Sequence, residues 1–590
     1  MFSSNIQTPV MSESCCAPFP EEQCEFFDFV IVGGGIAGVV CAETLCELIS
    51  PSRYAGAVRA TQSGKAELTV AIVSATNTVK TTVNLHRITN MIESFDVTET
   101  AGSTWSETWP GILTVLYDTV EKIDPPNHLV YLHGRGSSRP LRYGRLCLTT
   151  GGAPRLIDPK HPRVVALRDT ESLEAFQSKL RGTRRLMLVG NGGIATEIAH
   201  EVRGCQLIWA IKDASISAPF VDPAAAKFLL AAREMSRAQN STEMRPTQLG
   251  DEPGPVQIRR MRYVISDGKE QGGHTLPGDA EGRLLLVPDK DHESRGNRLS
   301  GGTIGAALGP DWAHGRVLRG QLSNEASDLP LKVVYKVMVK RLVEPSEFRT
   351  SGLVEINPFT DQPPIADDWP VYVELTNGEV YGCDLIVSAV GVEASFEPNR
   401  VSEASTRSHF FGVPFEFAAP RQGGGLLVDE QMQTSVKDVY AAGDCAYANW
   451  TWAPHWFQMR LWNQARQMAF QAAKAMYGHT KGEGDVPLDF SFDLFTHVTY
   501  FFGFKVVLIG LYNGQGLDLT SPDCYLLMRV TPGKEYIKCV MRSGRMQGAL
   551  LIGETDLEEV LENLIVNQLD LTDLEDSLLD PNIDLTDYFD

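Results

Sequence analysis

The chain has 590 residues, 43% of them hydrophobic, and a net charge of −21. This length and apolar content predict several globular domains, and the acidity argues against a nucleic-acid-binding surface or contact with an anionic membrane. No run of 18 apolar residues occurs, so we expect no membrane-spanning helix, and eleven scattered cysteines indicate a reducing compartment.

A first glycine turn follows the first apolar run of the chain. Residues 1–25 are predicted to be a disordered leader and lack the basic start and apolar core of a signal peptide. Phe26–Val32 then reads as a strand that leads into a G-x-G-x-x-G turn. Gly33 permits the tight turn, Gly35 lets the backbone approach a pyrophosphate, and Gly38 lets the following helix lie close to the strand. This pattern predicts a dinucleotide site.

A second glycine turn predicts a second dinucleotide. Gly190 and Gly192 follow an apolar strand and precede a helix, with Ala195 in place of the third glycine. Between the two turns, Thr150 and Gly151 belong to a further short motif that we assign to the first site. Glycine turns of this kind are individually weak signals, but two of them in one chain indicate two bound dinucleotides.

The stretch after the second turn contains an insert and a hairpin. Ser236 to Gly302 is rich in Gly, Pro, Ser, Asp, Arg and Gln with few aromatic residues, so we predict a largely disordered insert over 236–302. Further on, Asn377-Gly378 separates two alternating runs, which predicts a β-hairpin with a type I′ turn.

A carboxylate near residue 440 identifies the first dinucleotide as FAD. Asp444 follows the apolar run Val439–Ala442 and the flexible Gly443, where it can accept hydrogen bonds from the ribityl chain of the flavin. A helix predicted over Pro454 to Met476 would aim its positive end at the flavin ring. An ordinary Gly-Asp turn is the alternative.

This series of motifs resembles the two-dinucleotide-fold flavoproteins of the pyridine nucleotide-disulfide oxidoreductase superfamily. Longer stretches, among them 369–378 and 548–590, resemble one branch of it. The resemblance implies a glutathione-reductase-like α/β fold with two Rossmann-like dinucleotide-binding domains and an α+β C-terminal domain. The expected boundaries are 26–157 with 396–482 for the FAD-binding domain, 160–395 for the NAD(P)H-binding domain, 490–568 for the C-terminal domain and 569–590 for an acidic tail.

The resemblance also implies a function. Relatives are FAD enzymes that oxidise NAD(P)H, occur in cytoplasm and nucleus, and are associated with the oxidative stress response and with protection of the tRNA ligase complex. The negative charge indicates that any link to RNA runs through this protein partner and not through direct nucleic-acid contact. The C-terminal domain commonly builds a dimer interface, which makes a homodimer possible. A slow flavin-based redox sensor that binds a partner is the alternative function, and we assign no metal ligands.

A lysine and a glutamate are the expected catalytic pair. In the superfamily, the second glycine turn is followed by a glutamate, here Glu197, which pairs with a basic residue after the second FAD strand, here Lys80. The resemblance implies that the Lys80 ammonium lies beside flavin N5 and stabilises the negative charge of the reduced ring. A solvated Lys80 and a Glu197 on the helix surface are the alternatives.

The classical redox disulfide of the superfamily is missing. Residues 74–87, where it would stand, contain no cysteine. Cys41 and Cys46 are predicted to lie on one helix, about 140° apart around its axis and over about 7 Å apart along it, too far for a disulfide. Electrons must therefore leave the flavin by another route. Cys445, next to Asp444, is either a reactive or a buried inert thiol.

Two further questions stay open at this stage. After the second strand of the second nucleotide fold, Lys212 favours a 2′-phosphate and Asp213 a ribose hydroxyl, so NADH and NADPH are not distinguished. The stretch from Asp570 to Asp590 holds eight acidic and no basic residues, interleaved with apolar ones. We interpret it as a docking segment, with a merely solubilising tail as the alternative.

Overall fold

The computed structural model describes residues 24–51, 67–135, 139–168, 170–240, 256–266, 274–275, 283–288, 318–322, 331–359, 368–394, 407–419 and 423–583. The predicted leader, apart from its last two residues, and residues 584–590 of the predicted tail lie outside these ranges. No helix within them combines the length and apolar character needed to cross a membrane.

The elements are numbered in chain order. The first part of the chain contains β1 (Glu25–Val32), α1 (Ile36–Ile49), β2 (Val70–Ser74), β3 (Thr78–Arg87), β4 (Glu93–Ala101), α2 (Gly102–Ser106), β5 (Leu113–Tyr117), β6 (Val120–Asp124), β7 (Leu129–Leu132), β8 (Leu141–Leu148) and β9 (Gly152–Pro154). The second part contains β10 (Val164–Val165), α3 (Thr170–Leu180), β11 (Arg185–Val189), α4 (Gly193–Glu201), β12 (Gln206–Ala210), α5 (Pro223–Asn240), β13 (Gln257–Ser266), β14 (His274–Thr275), β15 (Arg283–Pro288), β16 (Leu331–Val334), β17 (Val339–Val343), α6 (Pro345–Ser351), β18 (Val371–Leu375), β19 (Val380–Cys383), β20 (Leu385–Ser388) and β21 (Val392–Ala394). The last part contains β22 (Arg407–Phe410), β23 (Val413–Glu416), β24 (Leu426–Val428), β25 (Val439–Ala441), β26 (Ala446–Ala448), α7 (Trp462–Lys481), β27 (Thr496–Phe501), β28 (Phe504–Gly510), β29 (Cys524–Thr531), β30 (Glu535–Arg542), β31 (Arg545–Ile552) and α8 (Glu558–Asn567).

The first domain is built on a sheet in the order β5-β2-β1-β8-β7-β6, to which β25 adds alongside β8. The strands β5, β2, β1, β8 and β25 are parallel, and the central strand β2 and the added strand β25 are buried along their whole length. The helices α1 and α7 pack on each other. The chain therefore returns to this sheet after residue 423 to complete it.

The second domain repeats this plan on a smaller scale. Its parallel sheet has the order β10-β20-β11-β12-β16, and an antiparallel unit of β17, β18 and β19 packs beside it. The β18–β19 hairpin forms as predicted, but its turn differs. Gly378 N donates to Leu375 O at 3.0 Å, and Gly378 has a positive φ whereas Asn377 does not. The loop is thus a type I turn followed by a left-handed glycine, because one extra residue joins the strands.

The third domain is an antiparallel sheet in the order β14-β15-β13-β29-β30-β31-β28-β27. Three of these strands, β13, β14 and β15, lie within the insert at 236–302. They join the sheet through β13, which pairs with β29 in the register Gln257↔Val530. The prediction of a largely disordered 236–302 is therefore wrong for the strands at 257–266 and 283–288. The average composition of the stretch is polar and does not reveal the short strands within it. These strands cover β29, which would otherwise be an open sheet edge.

A buried ion pair joins the third domain to the second. Lys538 Nζ lies 2.6 Å from Asp222 Oδ2 and donates to Asn513 Oδ1 at 2.7 Å, while the Tyr536 hydroxyl donates to Asp222 at 3.2 Å. Burial alone would raise the pKa of Asp222, but the Lys538 ammonium outweighs it and lowers that pKa. Removing either partner would leave an uncompensated buried charge, so this contact fixes how the two domains meet.

The acidic tail folds back onto its own chain. Leu571, Leu578 and Leu579 are buried in the cluster formed by α8 and one face of the third-domain sheet. Glu575 accepts hydrogen bonds from Tyr525 and from Arg260 of β13. The interpretation of 570–590 as a docking segment is therefore corrected for its first part, whose apolar residues pack intramolecularly. Tyr588 and Phe589 lie outside the described residues.

Candidate functional site

A cavity of about 540 Å³ opens at the carboxyl ends of the parallel strands of the first domain. Its wall includes the first glycine turn, the end of β2, the segment after β8 and the segment after β25. Four residues of the second domain also line it: Leu167, Arg168, Ile194 on α4, and Val392. The cavity thus connects the two regions that the sequence assigns to two dinucleotides, at the strand ends where α/β sheets bind ligands.

In the first glycine turn, Gly33 and Gly38 are closely packed against backbone atoms, and Gly35 faces open space. Gly33 has a φ of +125°, and a Cβ there would lie 2.2 Å from Thr149 O. A Cβ on Gly38 would lie 1.9 Å from Gly33 O. A Cβ on Gly35 would meet nothing within 4 Å. Only Gly35 therefore faces free space, which is the space that a pyrophosphate at the N-terminus of α1 requires.

The second glycine turn shows the same division. Gly190 has a φ of +127°, and a Cβ there would lie 2.0 Å from Ala389 O, whereas a Cβ on Gly192 would meet nothing within 4 Å. The helix α4 begins at Gly193, and Ala195 is fully buried where the first turn has its third glycine. Both turns therefore fit the pyrophosphate of a dinucleotide.

Asp444 lies where the sequence places it, in a short 3-10 turn after β25. Its side chain is half-buried at the cavity wall, and a Cβ on Gly152 would lie 3.2 Å from Asp444 Oδ2. Burial raises the pKa of this carboxyl, while Arg460 and Arg168 act in the opposite direction. Thr150, Gly151 and Gly443 line the same cavity. Asp444 thus lies at the cavity wall as the sequence predicts, and its role as an acceptor for ribityl hydroxyl groups stays a prediction.

The sequence did not identify Arg460 as a site residue. Its guanidinium donates to Asp444 O at 3.0 Å, to Gly423 O at 2.7 Å and to Gly424 O at 2.9 Å. Burial lowers the pKa of Arg460, and Asp444 counteracts this. No local sequence pattern could predict this role, because the carbonyl groups that Arg460 binds are distant in the chain.

The helix after Asp444 begins later than predicted. The expected start was Pro454, but α7 begins at Trp462. Residues 454–461, which include Arg460, form no regular helix. The N-terminus of α7 nevertheless reaches the cavity, since Leu461, Trp462 and Ala465 line it. The predicted positive helix end is therefore present, eight residues further along.

Lys80 and Glu197 belong to different domains, and of the two only Lys80 lines the cavity. Lys80, on β3, lines the cavity together with its ladder partner Glu99, and its Nζ lies 5.4 Å from the centroid of the Trp462 ring. Glu197 is buried on α4, one turn after Ile194, and is not part of the cavity wall in the described structure. The structure thus places both on elements that meet the cavity, and their pairing stays a prediction.

The cysteines offer no redox disulfide among the described residues. All nine that are described are free, and none of them lines the cavity. Cys41 and Cys46 are buried in the unbroken helix α1. Burial raises the pKa of Cys445 to about 11, and its thiol donates to Leu148 O at 3.3 Å, which favours the inert alternative. Nor do three side chains of metal-binding type cluster in the described ranges.

Comparison with known proteins agrees with this geometry. The sequence matches the family Pyridine nucleotide-disulphide oxidoreductase over residues 27–272 and 359–469. It is 39% identical over 548 residues to pyridine nucleotide-disulfide oxidoreductase domain-containing protein 1 of Mus musculus, covering 91% of this chain and 93% of that protein. The protein of the same name in Homo sapiens is 38% identical over 545 residues, with the same coverage.

Two solved structures share the fold at low sequence identity. A ferredoxin reductase from Rhodopseudomonas palustris superposes with a TM-score of 0.53 at 14% identity, covering 95% of this chain and 99% of that one. A water-forming NADH oxidase from Lactobacillus brevis gives a TM-score of 0.53 at 12% identity, covering 93% and 92%. The chain therefore belongs to the pyridine nucleotide-disulfide oxidoreductase family, whose cofactors are FAD and NAD(P)H.

Proposed function

We propose that the protein is an FAD-dependent NAD(P)H oxidoreductase that passes electrons to an external acceptor without an internal disulfide. The observation that carries this proposal is that one cavity is lined both by the first glycine turn and by Ile194, which follows the second turn, with none of the nine described cysteines in its wall. When bound there, FAD supplies a two-electron acceptor for the hydride of NAD(P)H. No described thiol stands where it could take those electrons next.

The residues of the cavity fit the flavin. Gly35 leaves room for the pyrophosphate, and Asp444 would hold the ribityl chain by accepting its hydroxyl protons. Arg460 holds the turn that carries Asp444 by binding the Asp444 carbonyl. Lys80 and the N-terminus of α7 place positive charge at the cavity, where it would stabilise negative charge that develops on the ring.

Absorbance spectra of the purified protein test this proposal. We expect a flavin spectrum that bleaches on addition of NADH or NADPH without oxygen and recovers in air. Turnover of many cycles per second with artificial acceptors supports the enzyme, whereas bleaching without such turnover supports the redox sensor. Asp444→Ala should release FAD, because the ribityl acceptor is lost. Protein that retains a full complement of FAD in this variant would contradict the site assignment.

We also propose, from the family resemblance, that the protein acts in the oxidative stress response of cytoplasm and nucleus and protects the tRNA ligase complex. The net charge of −21 supports a protein partner over direct contact with RNA. Co-precipitation with the ligase complex from cytoplasmic and nuclear fractions, with and without nuclease, tests this. Capture that disappears with nuclease would instead indicate that RNA bridges the two.

A further inference from the structure

The carboxyl edge of the second sheet is the place where the adenosine of a dinucleotide binds. In this chain, β12 ends at Ala210 and is followed by Ile211, Lys212 and Asp213. A carboxylate at the end of this strand binds the ribose 2′-hydroxyl of NAD, while a basic residue accommodates the 2′-phosphate of NADP. Ile211 is fully buried and Lys212 is exposed. The strand end itself therefore offers no carboxylate.

The nearby carboxylate of Asp213 is held by the protein. Asn191 Nδ2, within the second glycine turn, lies 2.8 Å from Asp213 Oδ2 and 2.9 Å from Ser215 O. Asn191 Oδ1 in turn accepts from Ser217 N at 2.6 Å. Asn191 is buried and fixed by these bonds, so it draws one oxygen of Asp213 toward the turn. This arrangement uses Asp213 to brace the loop.

A second lysine joins Lys212 from the neighbouring strand. After β16, Lys336 N donates to Asp213 O at 3.1 Å, and Val337 N donates to Ile211 O at 2.9 Å. The backbone of Lys336 therefore lies against the residue that follows Lys212. Both lysines are exposed, and neither forms an ion pair with another described residue. The backbone places Lys212 and Lys336 on either side of Asp213, and both side chains are exposed at this edge.

We infer that the second nucleotide site prefers NADPH to NADH because Lys212 and Lys336 bind the 2′-phosphate of the adenosine ribose. A phosphate monoester carries close to two negative charges and accepts strong charge-assisted hydrogen bonds from ammonium groups. The same two lysines gain nothing comparable from a ribose hydroxyl. This inference deepens the proposed function, since it assumes that the second glycine turn binds a pyridine nucleotide.

Calorimetric binding of adenosine 2′,5′-bisphosphate and of 5′-AMP to the intact flavoprotein tests the inference without turnover. We expect the bisphosphate to bind at least roughly tenfold more tightly at low salt, and each of Lys212→Ala and Lys336→Ala to lose most of that difference. Binding of 5′-AMP should stay unchanged. Lys179→Ala, which removes an exposed lysine at the opposite end of the same sheet, is the matched control and should bind both compounds like the wild type.

Equal affinity for the two compounds overturns the inference, as does an equal loss of both in the lysine variants. In either case, bleaching of the flavin by NADH or NADPH would leave the proposed function intact. Conversely, selective binding of the bisphosphate together with no bleaching by either nucleotide would overturn the function while the phosphate site stands. A ratio of kcat/KM for NADPH over NADH above one, falling in both lysine variants, completes the support.

Discussion

The two glycine turns have similar backbone packing but differ in whether the third position can carry a Cβ. In both turns, the first glycine packs against a backbone carbonyl at the end of a neighbouring strand, and a Cβ on the second glycine would meet no protein atom within 4 Å. They differ at the third position. A Cβ on Gly38 would lie 1.9 Å from Gly33 O, whereas Ala195 carries its Cβ in the buried core of the second domain. The first helix therefore sits closer to its strand than the second.

The turns also differ in how they are braced. Thr149, from β8's end, bonds Val32 O at 2.9 Å and so ties the first turn to a neighbouring strand. Asn191 ties the second turn to the loop after β12. The first turn is thus fixed by the sheet around it, and the second by a side chain of its own. We expect substitutions to disturb the first site through the fold and the second through nucleotide binding.

Gly38→Ala should have the largest effect, because its Cβ would collide with backbone that cannot move without separating α1 from β1. Overpacking of this kind costs about 1–3 kcal/mol or more. We expect loss of bound FAD and a lower thermal unfolding temperature, measured by absorbance and circular dichroism. Ala195→Gly is the matched control and should cost only about 0.5–1 kcal/mol in helix stability. Equal behaviour of the two variants would remove the distinction between the turns.

Gly35→Val and Gly192→Val should act through ligands alone, since neither Cβ would meet protein atoms. Gly35→Val should release FAD without lowering the unfolding temperature of the apoprotein. Gly192→Val should keep FAD but abolish its bleaching by NAD(P)H, while dithionite still bleaches it. Bleaching of the Gly192→Val protein at the wild-type rate would show that the second turn does not bind the nicotinamide nucleotide.

The two turns, the carboxylate of Asp444 and the hairpin at 371–383 could be predicted because each depends on residues close together in sequence. Arg460 could not, because its carbonyl partners lie at 423, 424 and 444 on other segments. The tail was misjudged for the same reason. Acidic residues interleaved with leucines are typical both of a segment that docks on a partner and of a segment that packs on its own domain. The sequence does not reveal the apolar face of the third-domain sheet against which these leucines pack.

Lys80→Met should slow flavin reduction by roughly tenfold or more, because a cation at the cavity stabilises developing negative charge. Stopped-flow bleaching with saturating NAD(P)H measures this rate. Lys80→Arg keeps the positive charge and should retain most of the wild-type reduction rate. If Lys80→Met reduces at the wild-type rate, Lys80 serves only to pack against Trp462, and the first site gains no charge from β3.

The smallest effect is expected for the double variant Cys41→Ala, Cys46→Ala. Both thiols are buried in α1 and neither faces the cavity, so NAD(P)H oxidation should stay within about twofold of wild type. Oxidation assays at equal FAD content measure it. A collapse of activity with FAD still bound would mean that the helix at the first turn opens during catalysis.

The pairing of β13 with β29 has a consequence for how the protein is made. Met261 and Leu526 are partners in this ladder, yet a ribosome adding about 5–20 residues per second makes them roughly 10 to 50 seconds apart. Throughout that interval β13 can pair with β15 on one side, but the side that receives β29 stays unpaired. A fragment that starts at residue 490 would lack β13, which leaves β29 as an open edge and removes Arg260 from beside Glu575.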